Sequence, residues 1–170
     1  MFNVIEDINR ICGMEILECI YMNDNIKIHI GDSYVLRLYN YDSFWRIIDN
    51  ENSVVVSSMD FYAKYSICSL TVPENYPAPI QKDIYPNEFY DSTEYYESDI
   101  DELAKAQELL EEHIDNKMES IKKAINSMYI SKIEIGNNHI YLYLSNGCSI
   151  ELFSAYEKKF ASLFRLEKHI

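Results

Sequence analysis

Ile26-Lys27-Ile28-His29-Ile30-Gly31-Asp32-Ser33-Tyr34-Val35-Leu36-Arg37-Leu38 is the stretch that decides the fold. Ile26, Ile28 and Ile30 alternate with Lys27 and His29, and the segment after Gly31-Asp32-Ser33 carries a second strand pattern from Tyr34 to Leu38. Successive side chains of a strand point to opposite faces, so alternation makes one dry and one wet face. The Gly/Asp/Ser triplet turns the chain back, which is a β-hairpin signature. The pattern returns as Ile140-Tyr141-Leu142-Tyr143-Leu144, then Ser145-Asn146-Gly147, then Cys148 to Leu152. Shifting the chain by 114 residues lays Met14–Tyr39 on Met128–Phe153 without a gap. Met14/Met128, Ile16/Ile130, Ile26/Ile140 and Leu38/Leu152 are identical, while Ile28/Leu142, Ile30/Leu144, Leu36/Ile150 and Tyr39/Phe153 stay apolar. Both turns fall at the same aligned position. Two readings stand: an internal duplication, or the partial register into which any two amphipathic hairpins can be slid.

Helical spacing precedes each hairpin at the same offset. Ile5, Ile8, Ile11 and Cys12 recur at three- and four-residue steps, as do Ile121, Ala124, Ile125 and Met128. The expected fold is therefore α+β: two related halves, each a helix beside an antiparallel hairpin, joined by an acidic Tyr/Pro loop and a helix. The expected division within one globular domain is 1–72 for the first half, 73–98 for the loop, and 99–170 for the helix and second half.

Between the hairpins, Ser53 to Ser57 and Tyr65 to Val72 read as strands, and Trp45, the only tryptophan, reads as a core anchor or else a surface hot spot. All four prolines (Pro73, Pro77, Pro79 and Pro86) fall between Pro73 and Glu97, where periodicity vanishes, so a long loop is expected. Ser98 with Asp101 gives a capping-box variant opening a helix. Ile100, Leu103, Ala106, Gln107, Leu110 and Ile114 mark one face of it, and the helix either continues to about Ser127 or breaks near Asn116. Ala155 to Glu167 reads as a short amphipathic helix, with a final strand as the alternative.

Charge is segregated along the chain. Asp83 to Asp115 holds twelve acids and a single base, Lys105, and so carries −11 of the net −13. A localised acidic patch points to a cationic partner, and an acidic pI near 4.6 opposes direct binding of nucleic acid, whose phosphates it would repel. No apolar run approaches the roughly 20 residues that cross a bilayer. The start, Met1-Phe2-Asn3-Val4-Ile5-Glu6-Asp7, lacks the basic and apolar regions of a signal peptide. A cytoplasmic protein without a membrane partner is expected. Cys12, Cys19, Cys68 and Cys148 sit in or beside apolar runs with no C-x-x-C, so buried free thiols are expected.

Reaction chemistry leaves no motif. Four glycines (Gly13, Gly31, Gly136 and Gly147) cannot write a phosphate-cradling or dinucleotide-binding loop, and neither His-Glu-x-x-His nor Gly-x-Ser-x-Gly occurs. His29, His113, His139 and His169 are scattered; Cys68 beside His113 or His139 would need the fold to unite them. Glu94/Glu97 and Glu108/Glu112 share helical spacing, which suits a solvated face as well as a carboxylate pair. Asp99-x-Asp101-Glu102 lacks the central glycine of a calcium loop. No cofactor, metal or catalytic residue is assigned.

Acids and tyrosines interleave after Asp83. Tyrosine gives contact area at low entropic cost and carboxylates steer and pair with Lys or Arg, a combination that suits a protein interface. The alternative is a solvated loop whose tyrosines fold back on the sheet. The candidate partner-binding residues are Asp91, Glu94, Tyr95, Tyr96, Glu97, Asp99, Asp101 and Glu102. In length, in the acidic patch from Asp83 to Asp115, and in the alternating hairpins ending at Leu38 and Leu152, the chain resembles the small acidic immunity proteins of bacterial toxin–immunity systems, including contact-dependent growth inhibition. The resemblance is one of format and assigns no residue a role. It implies a cytoplasmic, catalytically silent α+β protein that covers a cognate basic toxin, a nuclease above all, with an acidic surface. The rival readings are a phage-encoded inhibitor of a host defence protein, an enzyme with a site of scattered His, Cys and carboxylates, and a housekeeping subunit whose acidic face serves solubility.

Overall fold

A computed structural model describes residues 8–22, 25–39, 44–61, 100–153 and 164–168. The first strands form a meander, β1 (Ile16–Met22), β2 (Asn25–Ile30) and β3 (Tyr34–Tyr39). β4 (Phe44–Ile48), β5 (Val54–Ser57) and a 3₁₀ turn (Ser58–Phe61) follow. Helix α1 (Ile100–Ile125) leads into a second meander, β6 (Ile130–Ile135), β7 (His139–Leu144) and β8 (Ser149–Phe153), and then β9 (Phe164–Lys168). The strands make two antiparallel sheets, ordered β1-β2-β3-β9 and β5-β4-β8-β7-β6.

This architecture corrects the expectation of two helix-plus-hairpin halves. Among the described residues there are nine strands and one α-helix. Where the spacing of Ile8, Ile11 and Cys12 predicted a helix, Asn9–Ile11 make a single 3₁₀ turn. A few apolar residues at three- and four-residue steps fit one turn as well as a helix, and Gly13, at φ +83°, takes the chain out of it. Nor are the halves separate. β4 follows the first meander but pairs with β8 of the second, and β9 follows the second but pairs with β3 of the first. Phe164–Lys168 is a strand, the alternative to the helix expected over Ala155–Glu167, because its alternation fits the edge that β3 presents. The expected strand Tyr65–Val72 and loop Pro73–Glu97 lie outside the described residues.

The 114-residue offset relates the two meanders bond by bond. Gly13 donates its N–H to the Ile130 carbonyl at 2.7 Å, and its equivalent Ser127 donates to the Ile16 carbonyl at 2.7 Å. Ile16 donates to Met128 at 2.8 Å and Ile130 to Met14 at 2.9 Å. At the centre, an isolated bridge joins Glu15 to Tyr129, a position and its own equivalent. Gly31 donates to Glu15 at 2.8 Å as Ser145 donates to Tyr129 at 2.9 Å. Both meanders carry a register shift at the same step, Ile16/Glu18 and Ile130/Lys132. Even the positive φ of Gly13 recurs, at +61° in Ser127. An approximate two-fold relation therefore passes through the Glu15–Tyr129 bridge.

One continuous apolar cluster fills the interior. It unites Ile26, Ile28, Ile30, Leu36 and Leu38 of the first sheet with Trp45, Ile47, Ile140, Leu142, Ile150 and Leu152 of the second. Met118, Ile121 and Ile125 of α1 complete it. These side chains lie at positions of one parity along each strand, and each contributes about 1.5–3 kcal/mol by leaving water. Trp45 is a core residue, 1 % exposed, whose indole N–H donates to the Tyr39 carbonyl at 3.2 Å. Cys19 and Cys148 are buried free thiols as expected, but Cys12 is exposed, because it leaves the 3₁₀ turn instead of lying on a helix face. Cys68 is outside the described residues. No described helix is long and apolar enough to cross a membrane.

Candidate functional site

The acidic segment reaches the described structure through α1. Glu108, Glu112, Asp115 and Glu119 are all exposed and follow one another at steps of four, three and four residues. At about 3.6 residues per turn those steps stay on one line of the helix. Ile114, Met118, Ile121 and Ile125, at their own three- and four-residue steps, turn toward the core. The result is a carboxylate line on the water side, closed at its C-terminal end by Lys122, which donates to Glu119 at 3.0 Å. That hydrogen bond, with the charge of Glu119, raises the Lys122 pKa. Glu111, also exposed, takes part in a further interaction.

A polar pin sets the rotation of the helix. Asp60, 2 % exposed, accepts the Ser57 N–H through Oδ2 at 2.8 Å, and its Oδ1 lies 2.9 Å from the Lys117 ammonium. His113 donates through Nε2 to the Asp60 carbonyl oxygen at 3.0 Å. Lys117 and His113 are four residues apart, so one face of α1 grips one 3₁₀ turn at two points. With carboxylate and ammonium both engaged, this cluster orients a helix instead of serving as a reactive site. Sequence reasoning missed it, since nothing local links Asp60 to His113 and Lys117, more than fifty residues away.

The second sheet carries its polar and aromatic side chains on the face away from the core. Arg46 of β4 and Glu151 of β8 stand in register and form an ion pair, Nε to Oε2, at 2.8 Å, with side chains 5 % and 14 % exposed. The Arg46 guanidinium carbon also lies 5.6 Å from the Phe153 ring centroid, within cation–π range. Toward the β6 edge the face opens, and His139, Tyr141 and Tyr143 of β7 are half-buried there. Tyr143 hydroxyl donates to Glu134 at 3.4 Å. Burial, followed by nearby carboxylates, raises the pKa of both Tyr141 and Tyr143. The sequence held a signal for this row, tyrosine at the outward positions of an alternating strand, but the hairpin reading used only the inward ones.

Of the candidate contact residues, Asp91, Glu94, Tyr95, Tyr96, Glu97 and Asp99 lie outside the described residues. Asp101 and Glu102 lie in the first turn of α1. Asp101 precedes Glu108 by seven residues and so shares the line of Glu108, Glu112 and Asp115 by helical register. The catalytic alternative gains no assembled site: among the described residues no three His, Cys, Asp or Glu side chains gather as metal ligands, and His29, His113 and His139 lie on three separate elements. Burial pushes the Cys19 thiol up to about 12 and that of Cys148 upward as well, which leaves both un-ionised at neutral pH and poor nucleophiles. No family model matches the chain, and no curated protein or solved structure shows significant similarity to it.

Proposed function

We propose that this is a non-catalytic immunity or inhibitor protein of the cytoplasm, which binds and neutralises a basic protein toxin through its acidic, tyrosine-rich surface. A nuclease is the target class that best fits, because an active site built for phosphates is basic and a row of carboxylates can occupy it. The observation that carries the reading is the charge segregation: the segment Asp83–Asp115 holds nearly the whole net charge, and its described end is the exposed carboxylate line of α1. Carboxylates at regular spacing on a pinned helix meet lysine and arginine with little loss of conformational freedom. In this reading Asp91, Glu94, Glu97, Asp99, Asp101 and Glu102 pair with toxin bases while Tyr95 and Tyr96 pack the centre.

The test is a kinetic one. Association of the protein with the product of its neighbouring gene is followed for the wild type and for the triple variant E94K/E97K/D101K. Electrostatic steering acts on encounter, so the variant is expected to associate about tenfold more slowly at low salt, with a smaller change in dissociation. An unchanged association rate would move the contact off the acidic surface.

A further inference from the structure

β6 is an edge strand whose outer side presents backbone groups with no partner strand among the described residues. Gly136 donates its N–H to the His139 carbonyl at 2.9 Å, which makes these two a hydrogen-bonded pair at the head of the β6–β7 hairpin. Antiparallel partners alternate between hydrogen-bonded and non-hydrogen-bonded pairs along a ladder. The register Ile135↔Ile140, Glu134↔Tyr141, Ile133↔Leu142 and Lys132↔Tyr143 therefore turns the backbone groups of Lys132 and Glu134 toward β7. Those of Ile133 and Ile135 point to the edge. The open stretch ends near Ser131: Ile130 shares hydrogen bonds with Gly13 and Met14, and the Cys12 thiol lies 3.9 Å from the Ser131 carbonyl oxygen.

The fold covers the equivalent edge of the other meander. The 114-residue offset lays Ile133 on Cys19 and Ile135 on Tyr21 of β1. There α1 packs against the strand, and Cys19 is fully buried. On β6, Ile133 and Ile135 are only half-buried, and Ser131 and Lys132 are exposed. An edge left in this state is a template for another strand. We propose that β6 pairs with β6 of a second copy of this chain, antiparallel and centred on Ile133, so that the second sheets of two copies join edge to edge. This goes beyond the inhibitor reading and does not rest on it.

Charge complementarity identifies the occupant as a second copy. Centred on Ile133, the two isoleucines exchange their edge-facing N–H and C=O groups, and each Lys132 stands opposite the other copy's Glu134. Those flanking pairs are non-hydrogen-bonded, the kind in which side chains approach most closely. Within one copy Lys132 and Glu134 lie 3.3 Å apart with side chains 65 % and 44 % exposed, a contact too solvated to hold either in place. Across the dimer axis the two ammoniums and two carboxylates form one neutral network. Registers centred on Lys132 or on Glu134 would instead set like charges face to face. On a chain of net charge −13 this edge is locally neutral, so two copies can approach here without repulsion. The contact is small, and the dimer belongs to the weak, concentration-dependent class.

The experiment is sedimentation of the full chain up to millimolar concentration, where a monomer–dimer equilibrium is expected. K132E and E134K, both at exposed side chains, should each raise the dissociation constant about tenfold, because both cross-strand pairs become like-charged. Mixing the two variants should restore dimer, since they then face one another with opposite charges at both positions. The double variant K132E/E134K should dimerise like the wild type. In hydrogen exchange the Ile133 amide should become protected as concentration rises, while the Lys132 and Glu134 amides, bonded to β7, stay unchanged. A chain that remains monomeric, a dimer indifferent to both single variants, or single variants that fail to rescue each other would overturn the proposal. Ile133 protection that appears only with the product of the neighbouring gene would assign the edge to that partner and overturn it too.

Discussion

On the second sheet Tyr141, Glu151 and Arg46 face one another across three strands; on the first, Lys27, Arg37 and Arg165 occupy the corresponding row. The second row is neutral within itself, through the 2.8 Å pair between Arg46 and Glu151. The first sets Lys27 directly opposite Arg37, an opposition of like charges that costs stability. Arg37 and Arg46 each make a further interaction as well. Inward from these rows the sheets are nearly interchangeable, with Ile28 against Leu142 and Leu36 against Ile150, all at 0 % exposure. The backbone frame thus fixes the inner faces and leaves the outer ones open to different uses.

Four tests, using six substitutions, probe that comparison, from the largest effect down. Ile28→Ala and Leu142→Ala, at equivalent core positions, should each cost about 3 kcal/mol in urea unfolding, since each leaves a cavity in the shared cluster. A difference of more than about 2 kcal/mol between them would break the equivalence of the two inner faces. Glu151→Gln removes the carboxylate paired with the buried Arg46 guanidinium, which keeps its further interaction, and should lower stability by about 2 kcal/mol. Its cost should persist in high salt, because the pair is shielded from solvent ions. The two turn positions make a matched test: Ser127 at φ +61° is strained and Gly13 at +83° is not. Ser127→Gly should stabilise by about 1 kcal/mol and Gly13→Ala, which meets no atom within 4 Å, should destabilise by a similar amount through backbone strain alone. Smallest of the four, Lys27→Gln relieves like-charge opposition in the first row and should stabilise by about 0.5 kcal/mol. Destabilisation would mean that Lys27 is neutralised by a carboxylate elsewhere in the chain.

The legible part of the fold was local. Alternation from Ile26 to Leu38 and from Ile140 to Leu152, around turns at Gly31 and Gly147, marks strands because a period of two has a single structural meaning. The shared offset of Met14/Met128 and Ile16/Ile130 also marks the residues that meet at the Glu15–Tyr129 bridge. Strand exchange was illegible, because β4 and β9 carry nothing in their own residues that says which meander they will join. The 3₁₀ turn at Asn9–Ile11 was mistaken for a helix since Ile8 and Ile11 satisfy both spacings. For the candidate site, composition located the acidic stretch, and helical spacing paired Glu108 with Glu112, while the full carboxylate line through Asp115 and Glu119 came with the helix itself. The Asp60–Lys117 contact that fixes the helix depends on tertiary placement and left no local trace, whereas the ring stack at Tyr141 follows from the alternation of β7, of which the hairpin reading used only the inward positions.

The central claim is that a segregated acidic surface binds a basic protein. Its most direct test is calorimetric titration of the full chain against the product of its neighbouring gene, at about 50 mM and about 500 mM salt. Debye screening shortens from about 14 Å to about 4 Å over that range, so exposed charge pairs lose most of their reach. A tight complex that weakens at least tenfold at the higher salt is the predicted result. A tight complex indifferent to salt would contradict it, placing the contact on an apolar surface and leaving the carboxylates of α1 with a solvating role alone.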